Sequence, residues 1–159
     1  MKRILLFILA VVMALSLVSC RSKTKTFSKD GFEVTLPSSF INITKLNQDV
    51  VAAFIDLKGD IVVTATKNTF EEVGNSDMTA EDYAWLIIRA NKFESFITEE
   101  DGVPTFRYSQ MVEEERYIYI AYAYVASDAY WLVSFACPAD KLSELEDAMI
   151  EYAKTVKVN

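Results

Sequence analysis

The chain has 159 residues, 52% hydrophobic and 25% charged, with a formal net charge of -7. It contains no histidine, which excludes Ser-His-Asp and Cys-His catalysis, histidine-liganded zinc and the commonest general base. The acidic balance argues against nucleic acid, whose phosphates demand a positive surface, and four isolated glycines build no phosphate-cradling loop.

Lys2 and Arg3 precede an apolar run, 4–18, broken only by Ser16, and small Ser19 stands before Cys20. This is the layout of a secretory signal over 1–19, cleaved between Ser19 and Cys20. The run falls short of the roughly 20 apolar residues of a membrane-spanning helix. Leu17-Val18-Ser19-Cys20 resembles the lipobox of bacterial lipoproteins. That resemblance implies a diacylglyceryl group on the Cys20 thiol and a chain held on the extracytoplasmic face of a membrane. The alternative is an ordinary secreted protein with a free cysteine. Arg21 stands where lipoproteins retained at the inner membrane tend to carry aspartate, so the resemblance implies either the cell membrane or the outer membrane. Segment 20–29 holds Arg21, Lys23, Lys25 and Lys29, whereas all 23 acidic residues lie at or beyond Asp30. We therefore expect a lipidated basic tether over 20–29, drawn to anionic head groups, and one acidic domain over 30–159.

Asp30-Gly31 reads as a turn, and 32–36 alternates as a half-buried strand stopped by Pro37. The β-branched runs 50–57 and 61–66 flank Lys58-Gly59-Asp60, a hairpin signal. A helix is predicted over 78–93, with Thr79 as N-cap and Asp82 three residues on. Its inward face is predicted to be Tyr83, Leu86, Ile87, Ala90 and Phe93, leaving Trp85 and Ile88 outside it. Segments 96–99 and 105–112 form another hairpin about Asp101-Gly102, with Pro104 at the start of its second arm. Segments 117–126 and 130–136 are aromatic, nearly continuous apolar strands, expected at the centre of the sheet with both faces covered. Pro138 suits a first helical position, and Leu142, Leu145, Met149, Tyr152, Ala153 and Val156 recur at helical spacing. The order predicts an α+β domain, an antiparallel sheet flanked by helices.

Few residues after Cys20 invite chemistry. Cys137 precedes a predicted helix start, where a thiol's pKa can fall, yet a small buried residue at a strand end fits equally. Cys137 is also the sole other cysteine, so no internal disulfide forms. The runs Glu99-Glu100-Asp101 and Glu113-Glu114-Glu115 lack the ligand spacing of a calcium loop. Neither a metal nor a cofactor is expected. Tyr117, Tyr119, Tyr122, Tyr124, Tyr130 and Trp131 form an aromatic band that fills sheet faces or serves an interface. Trp85 and Ile88 are the expected exposed pair and the candidate partner surface.

The strand Gly31-Phe32-Glu33-Val34-Thr35-Leu36-Pro37-Ser38, the helix opening Met78-Thr79-Ala80-Glu81-Asp82-Tyr83 and the run Phe135-Ala136-Cys137-Pro138-Ala139-Asp140-Lys141 resemble the PsbP-like α/β/α sandwiches. These include many bacterial lipoproteins and the DcrB- and LpqN-type proteins. The resemblance implies a single sandwich domain, accessory or protein-interaction roles, and no shared catalytic set. We expect a non-enzymatic envelope lipoprotein that binds another envelope protein. The rival expectation is a small-ligand binding lipoprotein with a pocket between sheet and helix.

Overall fold

The computed structural model describes residues 23–43 and 50–159. The described chain runs β1 (Thr24–Lys29), β2 (Phe32–Pro37), β3 (Phe40–Asn42), β4 (Val50–Asp56), β5 (Val62–Thr69), α1 (Phe70–Val73), α2 (Ala80–Asn91), β6 (Ile97–Glu100), β7 (Val103–Val112), β8 (Glu115–Val125), β9 (Ala129–Pro138), α3 (Leu142–Ala153) and β10 (Lys157–Val158). Every strand pairing is antiparallel. A seven-stranded sheet has the order β3-β4-β5-β9-β8-β7-β6, and a small sheet has the order β1-β2-β10. The aromatic strands β8 and β9 lie in the middle of the seven-stranded sheet, as their apolarity predicts.

Both Asp-Gly pairs make the turns read from the sequence. Asp30 and Gly31 have φ of 49° and 92°, and Asp101 and Gly102 have 51° and 80°, the left-handed backbone that two-residue hairpins need. Gly31 has a second reason to lack a side chain: a Cβ there would lie 2.8 Å from the carbonyl oxygen of Asn159.

Strict alternation along β8 and β9 sends side chains to two cores. On one face Ile120, Tyr122, Trp131, Val133, Phe135 and Cys137 meet Phe32, Val34 and Leu36 of β2, with Met149 and Ala153 of α3. On the other face Ala121, Ala123 and Tyr130 meet Tyr83, Ala84 and Ile88 of α2. The layers are α2, the large sheet, then α3 with the small sheet. Each large apolar side chain taken out of water contributes about 1.5–3 kcal/mol, and among the described residues such burial acts without a disulfide, Cys137 being free and buried.

Three expectations need correction. The predicted tether does not extend to residue 29: Thr24–Lys29 is strand β1, paired residue by residue with β2. Phe27 anchors it, its ring 4.7 Å from that of Phe54. Pro138 does not begin a helix; it ends β9, and a 3-10 turn over Ala139–Lys141 precedes α3. The inward face of α2 is turned by about 100°, one residue of helix, from the predicted one. Ile88 is 4% exposed and Ala84 fully buried, whereas Leu86 is 41% exposed. The reason is the small side chain of Ala84, which lets the helix settle on Ala121 and Ala123.

Candidate functional site

Turning α2 this way places Leu86 and Arg89 on its outer side and leaves Trp85 at the edge, half-buried against the α2-side core. There they line, with Asn75, Asp77, Met78 and Asp82, an open groove of about 410 Å³. Of the predicted pair, Trp85 belongs to this surface and is half-buried, and Ile88 is excluded from it by burial. Leu86, Met78, Asp77 and Arg89 were not anticipated. The available signal was Ala84: a lone small residue between Tyr83 and Trp85 marks the closest approach to a sheet, and Leu86 then points away.

The walls of the groove are fixed by hydrogen bonds. The Thr79 hydroxyl accepts from the Asp82 N–H at 3.1 Å, and the Asp82 carboxylate accepts from the Thr79 N–H at 3.0 Å and its hydroxyl at 2.7 Å. These Thr79 bonds hold the Asp82 carboxyl below its usual pKa, so it is an anion at neutral pH. Before the helix, the Met78 N–H donates to the Tyr130 hydroxyl at 3.0 Å. Tyr130 is itself fully buried, stacked at 5.0 Å on Tyr83 and 4.8 Å from Phe70. The Tyr83 hydroxyl donates to Asn68 at 2.6 Å, closing the link between helix and sheet. The Asp77 N–H donates to the Asn75 side chain at 2.9 Å. At the far side the Arg89 guanidinium lies 5.8 Å from the Trp85 ring, a cation–π distance. The result is an apolar strip of Met78, Trp85 and Leu86, with carboxylates toward the helix start and a cation about two turns further on.

The gap between α3 and the sheet is different. Glu100, Val103, Tyr122, Tyr124, Ile150 and Lys154 line most of a cavity of about 30 Å³. A metabolite site occupies about 300–1,000 Å³, so this gap holds a water or two and nothing larger. Tyr122 donates to Glu100 at 2.6 Å, and burial together with Glu100 drives the phenol's pKa far up, keeping it a donor. Arg107 pairs with Glu100 at 3.4 Å and with Glu146. This network clamps the β6–β7 hairpin to α3.

The other sequence candidates separate in space. Cys137 is buried in the α3-side core, where burial, with Glu146, Asp140 and Asp60 nearby, raises its thiol pKa. That is the opposite of an activated nucleophile. The Glu113-Glu114-Glu115 run spans the β7–β8 turn and the first residue of β8. Among the described residues, no group of three or more histidine, cysteine or carboxylate side chains is placed to hold a metal. The aromatic band divides: Tyr122, Tyr124 and Trp131 face the α3 core, Tyr130 faces α2, and Tyr119 stacks 4.7 Å from Tyr108. Ser19 and Cys20 lie outside the described residues.

No family model matches the chain, and no curated protein sequence matches it. Solved structures do. A Bacteroides thetaiotaomicron protein superposes with a TM-score of 0.62 at 14% identity, covering 85% of this chain and 48% of that one. The Saccharomyces cerevisiae Ran-binding protein Mog1p gives 0.56 at 8% identity, covering 86% and 96%. Cyanobacterial PsbP (CyanoP) of Synechocystis gives 0.50 at 14% identity, covering 87% and 94%. The fold is PsbP-like. At such identities the likeness concerns the fold alone, and this chain spans about half the length of the Bacteroides protein. A PsbP-like domain supplies the scaffold here, and the Trp85 groove is a feature of this chain's own residues.

Proposed function

We propose that this chain is a non-enzymatic lipoprotein of the bacterial envelope, anchored outside the cytoplasm by Cys20, whose PsbP-like domain captures a protein partner in the Trp85 groove. The observation that carries this reading is the groove itself: an open strip of Met78, Trp85 and Leu86 flanked by Asp77, Asp82 and Arg89. Tryptophan and arginine are the residues most enriched where protein interfaces concentrate their binding energy. An apolar segment of a partner, with a basic residue toward Asp77 and Asp82 and an acidic one toward Arg89, matches the strip. The same fold serves protein binding in Mog1p, which is a Ran-binding protein. The small gap between α3 and the sheet weighs against the small-ligand alternative. Lipid tethering raises local concentration, so a weak contact in this groove suffices.

The test is site-specific photocrosslinking in living cells, with the crosslinking residue at position 86 and, as control, at exposed position 111 of β7, on the α3 side of the large sheet. A discrete protein adduct at 86, absent at 111 and reduced at least about tenfold by Trp85→Ala, is expected for an interface anchor. An adduct pattern that is the same at both positions, or unchanged by Trp85→Ala, overturns the assignment.

A further inference from the structure

The chain enters the described domain at Lys23, whose carbonyl accepts from the Ser38 N–H at 2.7 Å. Ser38 stands two residues before Phe40, and Phe40 pairs with Asp56, the residue before Leu57. Chain geometry therefore puts Lys23 within about 20 Å of the β4–β5 turn. Cys20 lies three residues upstream of Lys23, a reach of about 10 Å at full extension. A lipid on Cys20 brings this end of the sheet, and with it that turn, down to the bilayer surface.

What the turn presents there is a leucine. Leu57 is 71% exposed, and Ile41, opposite Ile55 on the adjoining strand, is 50% exposed. The tip is stiff: the Asp56 carboxylate accepts from the Asp60 and Ile61 N–H groups at 2.7 and 2.9 Å, and the Gly59 N–H donates to the Asp56 carbonyl at 2.8 Å. Lys58 is the residue after Leu57, and Lys23, with Lys25 two residues on, enters the domain at the same end; all three are exposed. Of the nearby carboxylates, Asp56 accepts from those two amides and Asp60 pairs with Lys141, while Asp140, next to Lys141, is exposed. The acidic Glu113-Glu114 turn is at the same end of the sheet but about 14 Å across it, three strand spacings away. Anionic head groups repel that side and attract the lysines, which tilts the domain onto the β4–β5 tip.

We propose that Leu57, with Lys58 beside it and Lys23 and Lys25 at the same end of the domain, is a membrane-docking tip that seats the domain on an anionic bilayer in one orientation. This rests on the lipid anchor proposed above. Membrane-extracted protein carrying its native lipid is reconstituted into phosphatidylethanolamine–phosphatidylglycerol vesicles containing doxyl-labelled lipid. A thiol-directed fluorophore is attached at Ser39→Cys beside the tip, or at Val125→Cys at the opposite end. Cys137 is buried and the Cys20 thiol is capped, so the label is specific. Quenching at position 39 at least about threefold above that at 125, lowered at least about twofold by adding Leu57→Asp, is expected for an apolar group in the head-group layer. Equal quenching at 39 and 125, or indifference to Leu57→Asp, overturns the docking tip alone. Failure of the unlabelled wild-type protein to float with the vesicles overturns the anchor and the tip together.

Discussion

Trp131 shows how much of this core rests on shape. It is fully buried against Phe32 in the α3-side core, and its indole Nε1 is the buried side-chain polar atom left without a hydrogen-bond partner among the described residues. A buried donor without an acceptor costs about 1–3 kcal/mol. Trp131→Phe removes that donor while leaving a ring to stack at the position 6.2 Å from Phe32. The lost volume and the removed penalty oppose each other, so the substitution is expected to change unfolding free energy by less than about 1.5 kcal/mol, against about 3–5 kcal/mol for Trp131→Ala. Urea denaturation of the two variants decides it. A Phe variant as damaged as the Ala variant would mean that the indole nitrogen has a partner, such as a bound water.

At the scale of elements, α2 is where sequence and structure part most usefully. Its start was legible, because Thr79 and Asp82 form a reciprocal cap that depends on local chemistry alone. Its rotation was not, because Leu86 and Ala90 are as apolar as the residues that are buried, and only the sheet's own Ala121 and Ala123 settle which side descends. The same division holds elsewhere. The Asp-Gly hairpins, β2 and the apolar face of α3 announced themselves through turn chemistry and period. Strand β1, reading TKTFSK, carries one apolar residue and becomes a strand because β2 offers it a partner and Phe54 offers Phe27 a surface. Of the groove, Trp85 alone was read from sequence, since the loop 74–78 is held by Tyr130, 52 residues away from Met78. The cap makes a local prediction: Thr79→Ala is expected to cost about 1 kcal/mol and to speed amide exchange in the first turn of α2 with β8 and β9 unaffected. Exchange that rises uniformly over the domain would show that the cap supports the whole fold.

For the molecule as a whole, the correction to the N-terminal boundary matters most. With β1 counted in, the link from Cys20 to the domain shrinks to Arg21, Ser22 and Lys23, and Lys25 and Lys29 sit on a fixed strand. A chain beginning at Asp30 is accordingly expected to lose about 2 kcal/mol or more, since it strips Phe27 from Phe54 and bares an edge of β2. A chain beginning at Lys23 is expected to keep wild-type stability. Thermal unfolding of the two truncations compares them directly, and equal midpoints would restore the reading of 24–29 as mere spacer.

Strand β2 takes its neighbours from opposite ends of the described chain, β1 just before it and β10 more than a hundred residues after it. During synthesis the β1–β2 hairpin therefore exists for a long interval with one edge unpaired and Phe32, Val34 and Leu36 uncovered, and an isolated hairpin is at best marginally stable in water. Closure across that span costs entropy that nothing local repays. The small sheet cannot close before residues 157–158 are available, so the β2 edge and its three apolar side chains are expected to be covered only late in synthesis.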